Sequence, residues 1–399
     1  MMHSTQNEIA RALLIGTDFI SGSRAETDDL LVELEELCRT IELEPVQTQS
    51  LRLQSPHPRF YIGSGKLDEM LSIAEDLNCD CIVFDDELSP SQQRNLERHT
   101  KLAVIDRREV ILEIFKQRAS TPEAVLQVQL ASLQYSLPRL TRAWTHLNRQ
   151  RGGAKGTRGE GEKQLEVDRR LVQKKIASVK QQLVQIERRR ASMRKQRERV
   201  PVPTGALVGY TNAGKSSLLE RLSGQSLDSK DALFATLDPS TKRVELPKLG
   251  HVLLTDTVGF VRNLPHELVD AFHSTLEETL HASFIIHVVD ASAYNAAQQY
   301  KTVMNVLREL GAGDYPIITV LNKADLLPAE ELFTPDIEGP KLAISAKTGQ
   351  GIDQLYFLIE GLLEQRLKRQ TFCFPSGRSD LAALIHRNGK VLSEQYEDD

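Results

Sequence analysis

Residues 209–217 read GYTNAGKSS: a glycine, four further residues, then Gly214-Lys215-Ser216. This is the spacing of a phosphate-binding loop. The apolar run ALVG stands directly before it, and KSSLLERLSG has helical spacing after it, so the motif sits on a strand–loop–helix. That context confines this part of the chain to an α/β sheet with the loop at a strand's C-terminal end. Backbone N–H groups of Gly209, Tyr210, Thr211, Asn212, Ala213 and Gly214 and of the helix start are expected to face phosphate oxygens. Lys215 is expected to reach the β and γ phosphates and Ser216 to offer a hydroxyl to Mg2+, with Ser217 completing the set.

Three further motifs follow in order, each after an apolar run of strand character. HVLLTDTVGF ends in Asp256, Thr257, Val258 and Gly259. A carboxylate there can hold Mg2+ through water, and the Gly259 N–H can sense a γ phosphate. IITVLNKADLL carries Asn322, Lys323 and Asp325. A carboxylate at the last of these accepts both N–H donors of guanine, whereas adenine leaves it unpaired. LAISAKTG places Ser345, Ala346 and Lys347 on the base side. Taken alone, each could be a plain strand-end turn; in this order they define the binding edge of an open sheet and point to a GTPase. Between the first two motifs lies FATLDPSTKR, where a first switch belongs. Phe234, Ala235 and Thr236 open it, Thr236 being the candidate ligand of Mg2+ and the γ phosphate and Thr241 the alternative.

A chain of 399 residues has room for two or three domains. It contains no run of eighteen apolar residues and no convincing signal peptide. Cys38, Cys79, Cys81 and Cys373 have neither disulfide rhythm nor zinc spacing, so the cytoplasm is the expected compartment.

Before the phosphate loop, ALLIG, PVQTQS, RFYIG and CIVFDD read as strands. DDLLVELEELCRT, KLDEMLSIAEDL and SPSQQRNLERH alternate with them at helical spacing. This argues for a mostly parallel α/β domain over 1–118. Gly63-Ser64-Gly65-Lys66 is expected to be a strand-to-helix turn, with a second anion site as the lesser reading. Leu126, Leu130, Leu133 and Leu137 then keep a three–four seam. So do Leu165, Val172, Ile176, Val179, Leu183, Ile186 and Met193, over about 43 Å of helix. The pair predicts an antiparallel helical hairpin over 119–200.

The connection at residues 139–162 has five glycines, six Lys and Arg, and the only tryptophan. Arg139, Arg142, Trp144, Arg149, Arg151, Lys155 and Arg158 are its candidate RNA contacts, by phosphate neutralisation and stacking, against the alternative of a disordered linker. From Arg139 to Arg199 there are nineteen Lys and Arg against six Asp and Glu. That net of +13 leaves −18 for the rest of a chain whose formal net charge is −5, and it suggests a polyanionic partner. A P-loop G domain is expected over 201–367 and a small α+β segment over 368–399.

The nucleotide motifs look like the five G boxes of the translation-factor class of GTPases. Together with YIGSGK, DDELSPSQQRNLE, LQVQLASLQYSLPRL, GTRGEGEKQLEVDRR, FATLDP and DTVGFVRNLPHELVDAFHSTLEE, they resemble the HflX family over roughly residues 10–367. The resemblance implies a GTPase that binds the large ribosomal subunit and its RNA, splits ribosomes and rescues stalled ones under stress. It implies that the glycine-rich tip probes the peptidyl-transferase region, and that the N-terminal region binds adenine nucleotides. The tip departs from the family's GIGTRGPGE at Ala154, Lys155 and Glu160.

After Gly259 stands Phe260, where Ras-like GTPases place a water-orienting Gln, so slow intrinsic hydrolysis with help from the ribosome is expected. In related GTPases an asparagine at the position of Asn212 binds K+; the alternative is that it only shapes the loop. Other readings stay open: a GTPase of ribosome assembly or RNA modification, a membrane-linked GTPase, or a binding module without hydrolysis. No lipidation motif favours the membrane, and a monomer is expected.

Overall fold

The computed structural model describes residues 9–19, 24–142, 158–197, 202–225, 234, 237, 239–262, 280–313, 315–328, 331, 339–365, 371–375, 377–388, 391 and 393–395. The chain forms two compact units: residues 1–184 with 231–237 and 263–273, and residues 185–230 with 238–262 and 274–399.

The first unit is built on a parallel sheet in the order β2-β1-β3-β4, comprising β1 (Ala10–Phe19), β2 (Leu43–Leu53), β3 (Cys81–Phe84) and β4 (Ala103–Asp106). Helices α1 (Arg24–Thr40), α2 (Ser64–Asp76), α3 (Pro90–Thr100), α4 (Arg107–Arg118) and α5 (Pro122–Ser136) surround it. Leu13 and Ile15 of β1 join Leu67, Met70, Ala74 and Leu96 of α2 and α3 in one core. The helix starts follow local chemistry. Ser89 and Gln92 form a reciprocal capping box, Asp106 accepts from the Glu109 N–H, and Thr121 from the Ala124 N–H. Gly16 has no side chain because one would lie 2.9 Å from Leu31 of α1.

Two readings of this unit are corrected. RFYIG is a turn and not a strand: His57 and Tyr61 exchange backbone hydrogen bonds of 2.7 and 2.9 Å, and Tyr61 has φ 67°, which no strand accommodates. Pro56 and Pro58 remove the donors a ladder would need. The apolar Phe60, Tyr61 and Ile62 serve instead as a plug, all buried. Gly63 to Lys66 therefore lead from a turn into α2, where the Lys66 ammonium donates to the Arg52 carbonyl. AVID, not read as a strand above, is β4.

Helix α6 (Arg158–Arg197) runs for 40 residues and begins inside the segment expected to be connection. Val172, Ile176, Val179, Leu183 and Ile186 form its least exposed stripe, the positions of the seam. On α5 the buried face is Ala124, Gln127, Val128, Leu130 and Ala131, with Leu126, Leu133 and Leu137 only half-buried.

The second unit has a six-stranded sheet in the order β10-β9-β8-β5-β7-β6. Its strands are β5 (Thr204–Gly209), β6 (Ser240–Leu246), β7 (Gly250–Asp256), β8 (Phe284–Asp290), β9 (Ile317–Asn322) and β10 (Lys341–Ala343). All pairs are parallel except β6 with β7. Helices α7 (Lys215–Ser223), α8 (Ala296–Glu309) and α9 (Ile352–Glu364) belong to it. Leu218 and Leu222 of α7 and Leu355 and Ile359 of α9 share a core with Leu207, Ile286 and Val320 of the sheet. Because β7 and β8 flank β5 on opposite sides, the connections diverge at the C-terminal end of β5, where an open sheet receives its ligand. Of the α+β segment expected over 368–399, helix α10 (Ser379–Asn388) forms, and the described residues around it are in no strand. Phe372 before it is 59% exposed.

Candidate nucleotide site

The loop between β5 and α7 is shaped by two glycines that nothing larger could replace. A Cβ on Gly209 would stand 2.2 Å from the Val288 carbonyl oxygen of the neighbouring strand. Gly214 has φ 88°, and a Cβ there would stand 2.3 Å from Asn322 Nδ2. Asn212, exposed at the loop's crown, is itself left-handed at φ 58°. Gly214 then caps α7 without a side chain, leaving the helix N-terminus and its N–H groups to an anion.

Lys215 is 6% exposed, and its ammonium donates to the carbonyls of Gly209 at 3.3 Å and Tyr210 at 3.0 Å. Burial lowers its pKa to about 8, with Asp256 pulling the other way. Ser216 Oγ donates to Asp256 Oδ2 at 2.6 Å, the carboxylate being fully buried at the end of β7. Thr257 Oγ1 donates to the Leu207 carbonyl at 2.7 Å and so ties the start of DTVG to β5. Val258 is buried, and Gly259 lies so close to the loop that a Cβ would be 2.8 Å from Thr211 Cα and 3.1 Å from Lys215 Nζ. The Phe260 side chain is also buried.

On the base side, Asn322 is 2% exposed and joins two loops. Its Nδ2 donates to the Ala213 carbonyl at 2.9 Å, and its Oδ1 accepts the Ala346 N–H at 3.0 Å. Lys323, left-handed at φ 64°, pairs with Asp290 at 2.8 Å. Asp325 is exposed. Ser345 Oγ accepts the Thr348 N–H at 3.0 Å, which turns the loop so that Ala346 is buried and Lys347 is exposed. The structure thus brings Gly209 to Ser217, Asp256 to Gly259, Asn322 to Asp325 and Ser345 to Lys347 to one end of the sheet.

Sequence reasoning missed two residues of this arrangement. Asp290 ends β8 in the apolar run FIIHVVD, a strand-end carboxylate of the same kind as Asp256. Arg221 of α7 donates to the Ala346 carbonyl at 3.0 Å and to that of Lys347, a long-range contact with no local signal.

Other sites fall elsewhere. Phe234, with φ 53°, is buried edge-on against Phe115 of α4 at 4.7 Å between ring centroids. Thr241, the alternative switch ligand, lies in β6 with its hydroxyl 2.9 Å from Thr255 Oγ1. Ala235 and Thr236 lie outside the described residues, as do Trp144, Arg149, Arg151 and Lys155. Arg142 closes a 3-10 turn (Arg139–Arg142), and Arg158 opens α6. Arg139 is committed to its own fold: it donates to Gln93 Oε1 at 2.8 Å, to the Leu88 carbonyl at 2.8 Å and to Asp106 Oδ2 at 3.2 Å, and lies over the Tyr135 ring.

A phosphate loop, a serine bonded to a buried carboxylate and a base-side loop at one edge of a Ras-like sheet define a P-loop GTPase. The chain matches the N-terminal region of GTP-binding GTPases over residues 28–116, their middle region over 118–197 and the 50S ribosome-binding GTPase family over 204–323. It is 48% identical to the GTPase HflX of Akkermansia muciniphila, over 97% of this chain and 92% of that protein. The GTPase HflX of Escherichia coli is 40% identical over 92% of this chain and 87% of its own length. The chain therefore belongs to the HflX family of GTPases. A GTP-binding protein from the archaeon Sulfolobus solfataricus, solved with GDP, aligns over 90% of this chain at 24% identity with a TM-score of 0.46.

Proposed function

We propose that this GTPase docks on the large ribosomal subunit and separates or rescues ribosomes, the basic segment meeting RNA. The observation that carries the reading is the charge of residues 139–199 together with its display. Arg169, Arg170, Lys174, Lys175, Lys180, Arg188 and Arg189 are all exposed along α6, with Arg170, Lys174 and Arg188 opposite its apolar stripe and the others on its flanks. Such a face neutralises phosphates. Contact from the tip falls to Arg142, Trp144, Arg149, Arg151, Lys155 and Arg158, since the Arg139 guanidinium is already engaged.

The donors fit Mg2+. The Ser216 hydroxyl and the buried Asp256 carboxylate, 2.6 Å apart beside the phosphate loop, are hard oxygen donors of the kind this ion takes one or two at a time. Thr236 is the proposed third. Bound there, Mg2+ would neutralise phosphate charge. The chain's own residues bind the nucleotide: Lys215 and the α7 N-terminus hold its phosphates, and Asp325 selects guanine. Phe260 offers no side-chain group to orient water, so intrinsic hydrolysis is slow and the ribosome stimulates it. Asn212, exposed at the loop crown, is the candidate K+ contact.

Co-sedimentation with purified large and small subunits tests the reading, comparing GDP with a non-hydrolysable GTP analogue on the intact chain and on one lacking residues 139–162. Binding to the large subunit that needs both analogue and tip is expected. Binding to neither subunit overturns it, and accumulation of immature subunits after deletion favours a role in assembly.

A further inference from the structure

The segment after Gly259 is riveted to the phosphate loop. The Phe260 N–H donates to the Gly209 carbonyl at 3.0 Å, and the Thr211 N–H to the Phe260 carbonyl at 2.7 Å, forming a parallel bridge. A third bond comes from a side chain: the Arg262 N–H donates to the Tyr210 hydroxyl at 2.8 Å. With Thr257 bonded to Leu207, the run from 257 to 262 extends the β5–β7 ladder past its last regular pair. Phosphate binding by the loop uses backbone amides, so it does not itself call for the hydroxyl of Tyr210. A mere apolar plug there, 3% exposed, would be served by phenylalanine. The hydroxyl is the difference, and its partner is a buried main-chain donor that is costly to leave unmade.

We infer that Tyr210 is a positioning residue for GTP-over-GDP discrimination: its hydroxyl holds residues 260–262 on the phosphate loop and so keeps Gly259 beside Lys215, in place before the nucleotide arrives. GDP has no γ phosphate and does not reach Gly259, so loosening this segment acts on GTP selectively. The inference rests on the reading of Gly259 as the γ-phosphate contact.

The test measures GDP and GMPPNP affinities of the full chain, of Tyr210→Phe and of Gly259→Ala, with thermal midpoints to verify folding. Losing one buried hydrogen bond should weaken GMPPNP relative to GDP by about ten-fold in Tyr210→Phe. Equal losses for both nucleotides, or none, while Gly259→Ala remains selective against GMPPNP, overturn the assignment of Tyr210. A Gly259→Ala variant that folds and shows no selectivity overturns the γ-phosphate reading and the inference with it.

Discussion

Asn322 holds the carbonyl of Ala213 at 2.9 Å, so the strand that carries the base motif is pinned directly to the phosphate loop. The same side chain takes the Ala346 N–H, and Arg221 donates to the Ala346 carbonyl, which ties the three loops together.

Replacing Asn322 by alanine removes both bonds and strands two buried backbone groups. A loss of about 2–6 kcal/mol in unfolding free energy is expected, at about 1–3 for each buried group left unmade. Urea denaturation measures it, and GDP and GTP affinity should fall together because the whole site loosens.

Lys215 predicts a pH dependence. Its pKa is lowered from 10.5 to about 8 by burial, so between those values the unfolded chain holds a proton that the native lysine does not. Stability of the nucleotide-free protein should therefore rise with pH across that window. Phosphate needs the cationic form, so GDP affinity should fall above about pH 8, and binding there should take up a proton. Calorimetry in two buffers of different ionisation enthalpy reads that uptake directly.

Arg107 in the first unit is 3% exposed between two carboxylates, Asp85 at 2.6 Å and Glu33. Arg107→Met leaves both acids buried without their cation. The expected cost is about 3–5 kcal/mol, read by denaturation; a cost below about 1 kcal/mol would mean that water reaches the pair.

Trp144→Ala should weaken affinity for ribosomal RNA by about 1–3 kcal/mol if the indole stacks on a base. Affinity should also fall steeply with salt, since phosphate neutralisation releases counterions. Filter binding over a salt series separates the two effects; a flat series contradicts the polyanion reading.

The four nucleotide motifs could be read from the chain because each is local. A glycine spacing, a strand-end carboxylate and a short base loop are encoded within a few neighbouring residues, and the alternation of strands and helices orders them along one sheet edge. The seam of α6 was legible for the same reason: helical periodicity repeats within the element. RFYIG misled because its apolar residues fit both a strand and a buried turn, and the positive φ of Tyr61 has no compositional mark. Arg139 illustrates the wider limit. In sequence it is one more cation in a basic tract; in the fold its guanidinium meets Leu88, Gln93 and Asp106. The bond from Arg262 to Tyr210 spans 52 positions, as the clasp of Arg221 on Ala346 spans 125. Such contacts depend on which strand ends lie side by side, and that follows from long-range packing of the whole sheet.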